Sequence, residues 1–265
     1  MTPTLRKTLW DLRWTATWFG LIAVVYIALI LAYFPYFRDN MATISKLLES
    51  YPKAITEAFG VTDMGTYSGF LGTEVFNVIW PILMAAFAIV AGSAVVAGEI
   101  EQGTVELWLS VPAGRLRLLG GKLLALAVAI VLLVAVSLVP VAVAAPLVDA
   151  RVTAAGVAAM GVTLLGFVLT VAAYSALFSA FSADRGRAAG IAGGLTLAFY
   201  LAWVVSKLND GWSWLGKLSI FSAYDPQGAL QTGTVDLLRL GVLAALVVLC
   251  SVLALAGFQR RDAIA

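Results

Sequence analysis

Six stretches of the chain contain no Asp, Glu, Lys or Arg, and each is long enough to cross a membrane as a helix. Crossing the ~30 Å hydrocarbon core of a bilayer takes about 20 apolar residues. Each stretch therefore predicts one transmembrane helix. The first is too long for the apolar core of a signal peptide, so we expect it to be retained. The six predicted spans are approximately 18–36, 75–98, 123–147, 157–181, 188–205 and 240–258.

Composition excludes a soluble globular protein. Of the 265 residues, 62% are hydrophobic and 12% are charged, whereas a soluble domain carries about 25% charged residues. The chain has no histidine, and Cys250 is its only cysteine. An internal disulfide is therefore impossible, and metal sites built from His or Cys are effectively excluded. We predict an all-α membrane protein with six transmembrane helices in a single domain over 1–265, without metal ligands or catalytic residues.

The distribution of basic residues predicts the orientation. If the N-terminus is inside, the cytoplasmic segments hold ten Lys and Arg residues and the opposite side holds seven. The acidic residues lean the other way. Cytoplasmic connections are enriched in Lys and Arg close to the ends of spans. We therefore predict that both termini are cytoplasmic.

Two longer segments, 38–74 and 206–239, are predicted to be external. In the first, Met41, Ile44 and Leu48 share one face of a helical pattern. Such a helix could lie on the outer membrane surface or pack on the protein's own outer face. The second segment is too apolar for a free loop, which predicts a re-entrant or interfacial hairpin. Short external or re-entrant helices are therefore expected.

Glycines recur at regular spacing in two of the predicted spans. Small residues four positions apart let the backbones of two helices approach closely. This pattern leaves two interpretations open, packing within one subunit or an interface between two subunits. The four-residue spacing is that of Gly186, Gly190 and Gly194, at the start of the fifth span. At the start of the fourth span, Gly156, Gly161 and Gly166 recur at five-residue intervals.

The six charge-free stretches lack the groups that usually supply energy or chemistry. A carrier driven by an ion gradient usually buries ionisable residues in the membrane to bind the coupling ion. A membrane enzyme needs paired acids and bases or an activated nucleophile. Neither set is present in these stretches. We therefore expect the energy for any work to come from a partner.

The cytoplasmic segment 99–122, between the second and third spans, combines both charge signs with a short apolar body. Gly103 is expected to break the helix that leaves the second span, and Thr104 is a suitable N-cap for a new short helix. Pro112 is expected to start another helix. The segment could dock a soluble partner, or its side chains could anchor it at the membrane edge. The candidate docking residues are Glu99, Glu101, Gly103, Thr104, Glu106, Leu107, Trp108, Pro112 and Arg115.

This segment resembles a known signature. From Gly98 to Arg115, followed by Gly121 and Lys122, its acidic, Gly-Thr, Leu, Pro and Arg positions are similar to the cytoplasmic element of type-2 ABC (ABC-2) transporter permeases. The resemblance implies that this element is a coupling helix, seated in a groove of a separate ATPase. It also implies that residues 1–17 form a cytoplasmic interface helix, and that the first and fifth spans meet a partner permease.

The resemblance further implies an exporter in the inner (plasma) membrane of a prokaryote, built from a homodimer of this permease and two ATPase subunits. ATP and magnesium would be bound by the ATPase, and this chain would hold no cofactor and no nucleic acid. Surrounding lipid is the remaining partner. The cargo is unidentified, and the apolar spans suit a hydrophobic or amphipathic one. The alternatives are a stand-alone secondary carrier or channel, and a polytopic membrane enzyme or scaffold.

Overall fold

The structure is a computed structural model, and every element within its described residues is helical. The prediction of an all-α membrane protein is confirmed for that part of the chain. The described residues are 2–41, 43–44, 66–103, 114–148, 152–208 and 210–260.

Five helices are each long and apolar enough to cross a bilayer. They contain the predicted first, third, fourth, fifth and sixth spans, and most extend beyond the charge-free stretch by several residues. Polar and charged residues continue a helix into the interfacial region, so hydropathy underestimates its length. These helices are α1 (Thr2–Asp39), α5 (Arg115–Leu147), α6 (Ala154–Phe181), α7 (Arg185–Leu208) and α10 (Leu237–Arg260).

The second predicted span is built from several shorter helices. Helix α2 (Tyr67–Leu71) leads into a π-helical turn (Gly72–Phe76), and α3 (Ile79–Ser93) follows after a bend of 43°. Counted together they make a sixth candidate span. A second break at 94–96 separates α3 from the short helix α4 (Ala97–Glu101).

Pro81 accounts for the position of the outer break. It has no N–H to donate to the carbonyl of Asn77, and its ring would clash with that carbonyl in a continuous helix. In the first turn of a new helix, the missing N–H costs little. Helix α3 accordingly starts two residues earlier, at Ile79.

Helix α1 runs without interruption from Thr2 to Asp39. Residues 1–17, predicted as an interface helix, therefore continue directly into the first span over the part that is described. Its 38 residues make a rod of about 57 Å at 1.5 Å per residue, nearly twice the bilayer core. One face carries three exposed tryptophans, Trp10, Trp14 and Trp18.

Helix α6 lies at the centre and contacts α3, α5, α7 and α10. Its contact with α3 is close because Gly92 has no side chain: a Cβ there would lie 2.7 Å from the Cβ of Ser175 and 3.0 Å from the carbonyl oxygen of Ala172. Two glycines of the fourth span also pack within the subunit. A Cβ at Gly161 would lie 2.8 Å from Leu138, and one at Gly166 would lie 3.2 Å from Leu240.

The predicted external segment 206–239 forms short helices, which include α8 (Ser213–Leu218) and α9 (Pro226–Thr232). Between them Phe221 packs on Phe167 of α6, with ring centroids 4.9 Å apart. The segment thus folds back onto the helices. The other external segment is described only at its ends, so most of the predicted amphipathic helix lies outside the described residues.

Candidate functional site

Three of the candidate docking residues, Glu99, Glu101 and Gly103, are fully described. Arg115 is described as the first residue of α5, without its side chain. The other candidates, Thr104, Glu106, Leu107, Trp108 and Pro112, lie outside the described residues, so the predicted coupling helix itself stays a prediction.

Gly103 ends the helical stretch that leaves α3. Its φ of +67° lies in the left-handed region, which costs glycine little and other residues roughly 1–2 kcal/mol. Its N–H donates to the carbonyl of Ile100 at 3.0 Å, as expected after a helix C-terminus. The backbone therefore changes direction at the residue where the sequence predicts a break.

Glu99 forms a buried ion pair with Lys122, the last residue of the connecting segment. Lys122 Nζ lies 2.7 Å from Glu99 Oε1, and the side chains are 4% and 17% exposed. Lys122 Nζ also donates to the carbonyl of Val95 at 2.9 Å, within the inner break. Lys122 of α5 thus binds both the backbone of the inner break and Glu99 of α4, the helix that follows it.

Ser179 of α6 satisfies the backbone at the same break. Its fully buried hydroxyl accepts hydrogen bonds from the N–H groups of Val96 and Ala97, at 3.0 and 2.9 Å. It donates to the carbonyl of Ser93 at 2.7 Å. The first N–H groups of a helix have no partner within the helix, so Ser179 acts as an N-cap supplied by another helix.

Arg185 connects the start of α7 to both sides of the break. Its backbone N–H donates to Glu101 Oε2 at 3.4 Å, and its Nη2 donates to the carbonyl of Val90 at 3.2 Å. A carboxylate at a helix N-terminus is favoured by the positive end of the helix dipole. Helix α4 is therefore bound to α5, α6 and α7 through Lys122, Ser179 and Arg185.

A cavity of about 230 Å³, lined by both polar and apolar residues, lies beside this network. Helix α1 contributes Thr8, Asp11 and Thr15 to its wall, opposite Glu99 and Lys122. Five helices, α1, α3, α5, α6 and α7, thus surround α4, through these hydrogen bonds or as walls of the cavity. Among the residues that the structure describes, no group of three or more His, Cys, Asp or Glu could hold a metal ion.

Sequence reasoning missed the roles of Lys122, Ser179 and Arg185. Lys122 enters the sequence analysis only as the last position of the signature, and Arg185 is one of the ten basic residues in the count that predicts the orientation. Ser179 gives no signal, because a serine in an apolar helix commonly bonds to a carbonyl of its own helix. All three lie far along the chain from their partners.

The glycines of the fifth span behave differently from those of the fourth. A Cβ built at Gly190 or Gly194 meets nothing within 4 Å, and one at Gly186 meets only the carboxylate of Asp184, at 3.2 Å. Leu197 and Leu201 continue this face of α7 and are also exposed. Within the described part of one subunit, the predicted close approach at Gly190 and Gly194 has no partner helix.

A family model described as "ABC-2 family transporter protein" matches residues 10–263. The match covers nearly the whole chain, from the first turns of α1 to beyond the end of α10. No curated protein matches the sequence.

Proposed function

Because the chain belongs to the ABC-2 transporter family, as a membrane component and not a catalytic one, we propose that it is the permease subunit of an ATP-driven exporter. ATP and magnesium bind to a separate ATPase subunit, present in two copies. The observation that carries this proposal is the attachment of α4 to α5, α6 and α7 by Lys122, Ser179 and Arg185.

This attachment suits the transmission of force. An ATPase that moves the segment 104–113 pulls on α4 through Gly103 and on α5 through Gly114, the residues that flank the segment. Because α4 is bound to the ends of three long helices, its displacement cannot stay local. The buried Glu99–Lys122 ion pair and the Ser179 cap make the connection stiff. Breaking either contact would leave a buried charged or polar group without a partner, which is costly.

The same proposal assigns residues 1–17 to the cytoplasmic boundary of the membrane and both termini to the cytoplasm. The basic residues Arg6, Lys7 and Arg13 support this orientation. The guanidinium carbon of Arg13 lies 3.2 Å from the ring centroid of Trp10. Basic and tryptophan side chains together are typical of the cytoplasmic interface. The membrane is the inner (plasma) membrane of a prokaryote.

Two copies of this chain form the pathway, with the exposed glycine face of α7 in the interface. An apolar face with small residues supports helix association in lipid, because close van der Waals contact drives it. Helices α1 and α7 both pack on α3 and both expose apolar faces. The cargo passes along this side of the molecule and is hydrophobic or amphipathic.

The interface predicts a disulfide crosslink between two copies. In a Cys250→Ala background, Gly190→Cys is expected to give a dimer on mild oxidation in membranes, because the glycine faces approach within bonding distance. Val248→Cys is a matched control on the exposed face of α10 and is expected to stay monomeric. Efficient crosslinking of the control, or none at Gly190, would contradict the proposed interface.

Co-expression with a candidate ABC ATPase tests the function. The two chains are expected to co-purify, and ATP-dependent transport in liposomes is expected to stop when the Walker lysine of the ATPase is replaced. Transport that continues without the ATPase would show a stand-alone carrier or channel instead. Turnover of a lipid or peptide without ATP would show a membrane enzyme.

A further inference from the structure

Glu74 is a carboxylate within the helical bundle. It precedes the charge-free second stretch by one residue, so hydropathy leaves it in the external segment. The structure places it in the π-helical turn, which lies against α1. The hydroxyl of Tyr26 donates to the backbone carbonyl of Glu74 at 2.7 Å.

Tyr26 indicates the depth of the Glu74 backbone. It lies eight residues after Trp18 and ten before Tyr36, the ends of the predicted first span. At 1.5 Å per residue, its backbone is roughly 12 and 15 Å from those two ends. The backbone of Glu74 therefore lies within one tyrosine side-chain length of the middle of the predicted first span, and not at its ends.

The π-helical turn is held from two sides by tyrosines. Tyr26 binds the carbonyl of Glu74, and Tyr224 donates to the carbonyl of Phe76 at 2.8 Å. Backbone that departs from the α-helix at membrane depth is tolerated where it is buried in protein and its polar groups are satisfied. π-Helical turns frequently occur at functional sites. The two tyrosine hydroxyls bind backbone carbonyls of the turn and not the carboxylate of Glu74.

No cation in the described part of the chain pairs with Glu74. The ion pairs there involve Glu99, Asp39, Asp225 and Asp236 as the acids. A carboxylate that stays ionised at membrane depth is costly unless a positive group compensates it. Glu74 is half-buried, so a ligand can reach it.

Apolar side chains are exposed on two of the helices that contact the π-helical turn. Helix α3 continues from the π-helical turn and exposes Ile79 and Ile82, and α1 exposes Ile22 and Leu29 on either side of Tyr26. One negative charge next to aromatic and aliphatic surface is complementary to a molecule with one positive group on an apolar body. The ring of Tyr26 adds a face that attracts cations.

We propose that Glu74 binds the positively charged group of the cargo, which is an amphipathic organic cation such as a lipophilic amine or quaternary ammonium compound. This deepens the proposed function and rests on it for the statement that the ligand is transported. The binding itself needs neither ATP nor an ATPase.

Tetraphenylphosphonium and tetraphenylborate test the proposal, because they have nearly the same shape and opposite charges. The full-length protein in lipid nanodiscs is expected to bind tetraphenylphosphonium above the level of empty nanodiscs, and tetraphenylborate no more than empty nanodiscs do. Glu74→Gln is expected to weaken tetraphenylphosphonium binding at least tenfold. Asp39→Asn is a matched control, since it removes one negative charge at an exposed position, and it is expected to bind as the unaltered protein does.

A second measurement uses the unaltered protein, so it does not depend on a variant that folds. Dicyclohexylcarbodiimide modifies carboxyl groups in apolar surroundings, and tetraphenylphosphonium is expected to slow its reaction with Glu74. Equal binding of both ions, unchanged binding by Glu74→Gln, or no protection would overturn the proposal. These binding results do not depend on an ATPase. If the chain proves not to work with an ATPase, the proposed function fails while the binding of the cation by Glu74 can still hold.

Discussion

The Lys122→Met variant is expected to lose about 3 kcal/mol of unfolding free energy, because it leaves the Glu99 carboxylate buried without its partner. The unbranched Met side chain is one atom shorter than Lys and fills most of the space of Lys122, so the loss reports mainly the charge and not a cavity. The double variant Lys122→Met, Glu99→Leu is expected to recover most of that stability, since two apolar side chains often replace a buried ion pair without loss. Unfolding in detergent, followed by tryptophan fluorescence, measures both.

Arg239 provides a matched control for this prediction. It pairs with Asp225 at 3.1 Å and Asp236 at 3.2 Å, but its side chain is 43% exposed. Exposed pairs contribute about 0–1 kcal/mol. The loss of unfolding free energy in Arg239→Met is therefore expected to be smaller than the loss in Lys122→Met. Equal losses at the two positions would show that burial of the Glu99 pair does not matter.

The Gly103→Pro variant is expected to reduce ATP-driven transport at least tenfold while the complex continues to hydrolyse ATP. Proline fixes φ near −65°, whereas Gly103 has φ +67°. The substitution therefore redirects the chain where it enters the segment 104–113. The ATPase would then move a segment that leaves α4 in a different direction, so its movement would not be passed on to α4. Transport and ATP hydrolysis, measured on the same liposomes, give the ratio that detects uncoupling.

Gly114→Pro is the control at the other end of the same segment. Gly114 has φ −56°, which proline adopts without strain, so transport is expected to stay within about threefold of the unaltered protein. If both variants transport equally well, the conformation of Gly103 has no part in coupling. If both stop ATP hydrolysis as well, the effect is loss of docking and not loss of transmission.

The long helices could be predicted from the sequence because lipid imposes a simple requirement on length and polarity. The break in the second span could not be found by the same rule, since Asn77 and Pro81 lie inside a charge-free stretch. Proline does indicate where a helix starts again, and that signal lies at the correct place. The same rule could not predict that α1 is continuous, because charged and polar residues precede Trp18 and the predicted span starts only there.

The contacts of α4 needed the structure. Ser179 and its partner Val96 are 83 residues apart, and no local pattern connects them. Glu99 and Lys122 were both visible as charges at membrane edges, but their pairing depends on how α3 and α5 approach one another. Glu74 was assigned to a loop because a charge ended the apolar stretch, although its own backbone is helical.

Photocrosslinking at α4 tests the central claim most directly. In a Cys250→Ala background, Gln102→Cys carries a maleimide benzophenone at an exposed position beside Gly103, and Leu237→Cys carries it at the exposed start of α10. Illumination of the purified complex is expected to join the ATPase to the chain at position 102 and not at position 237. No crosslink at 102, or equal crosslinks at both positions, would contradict the claim that the ATPase engages this segment.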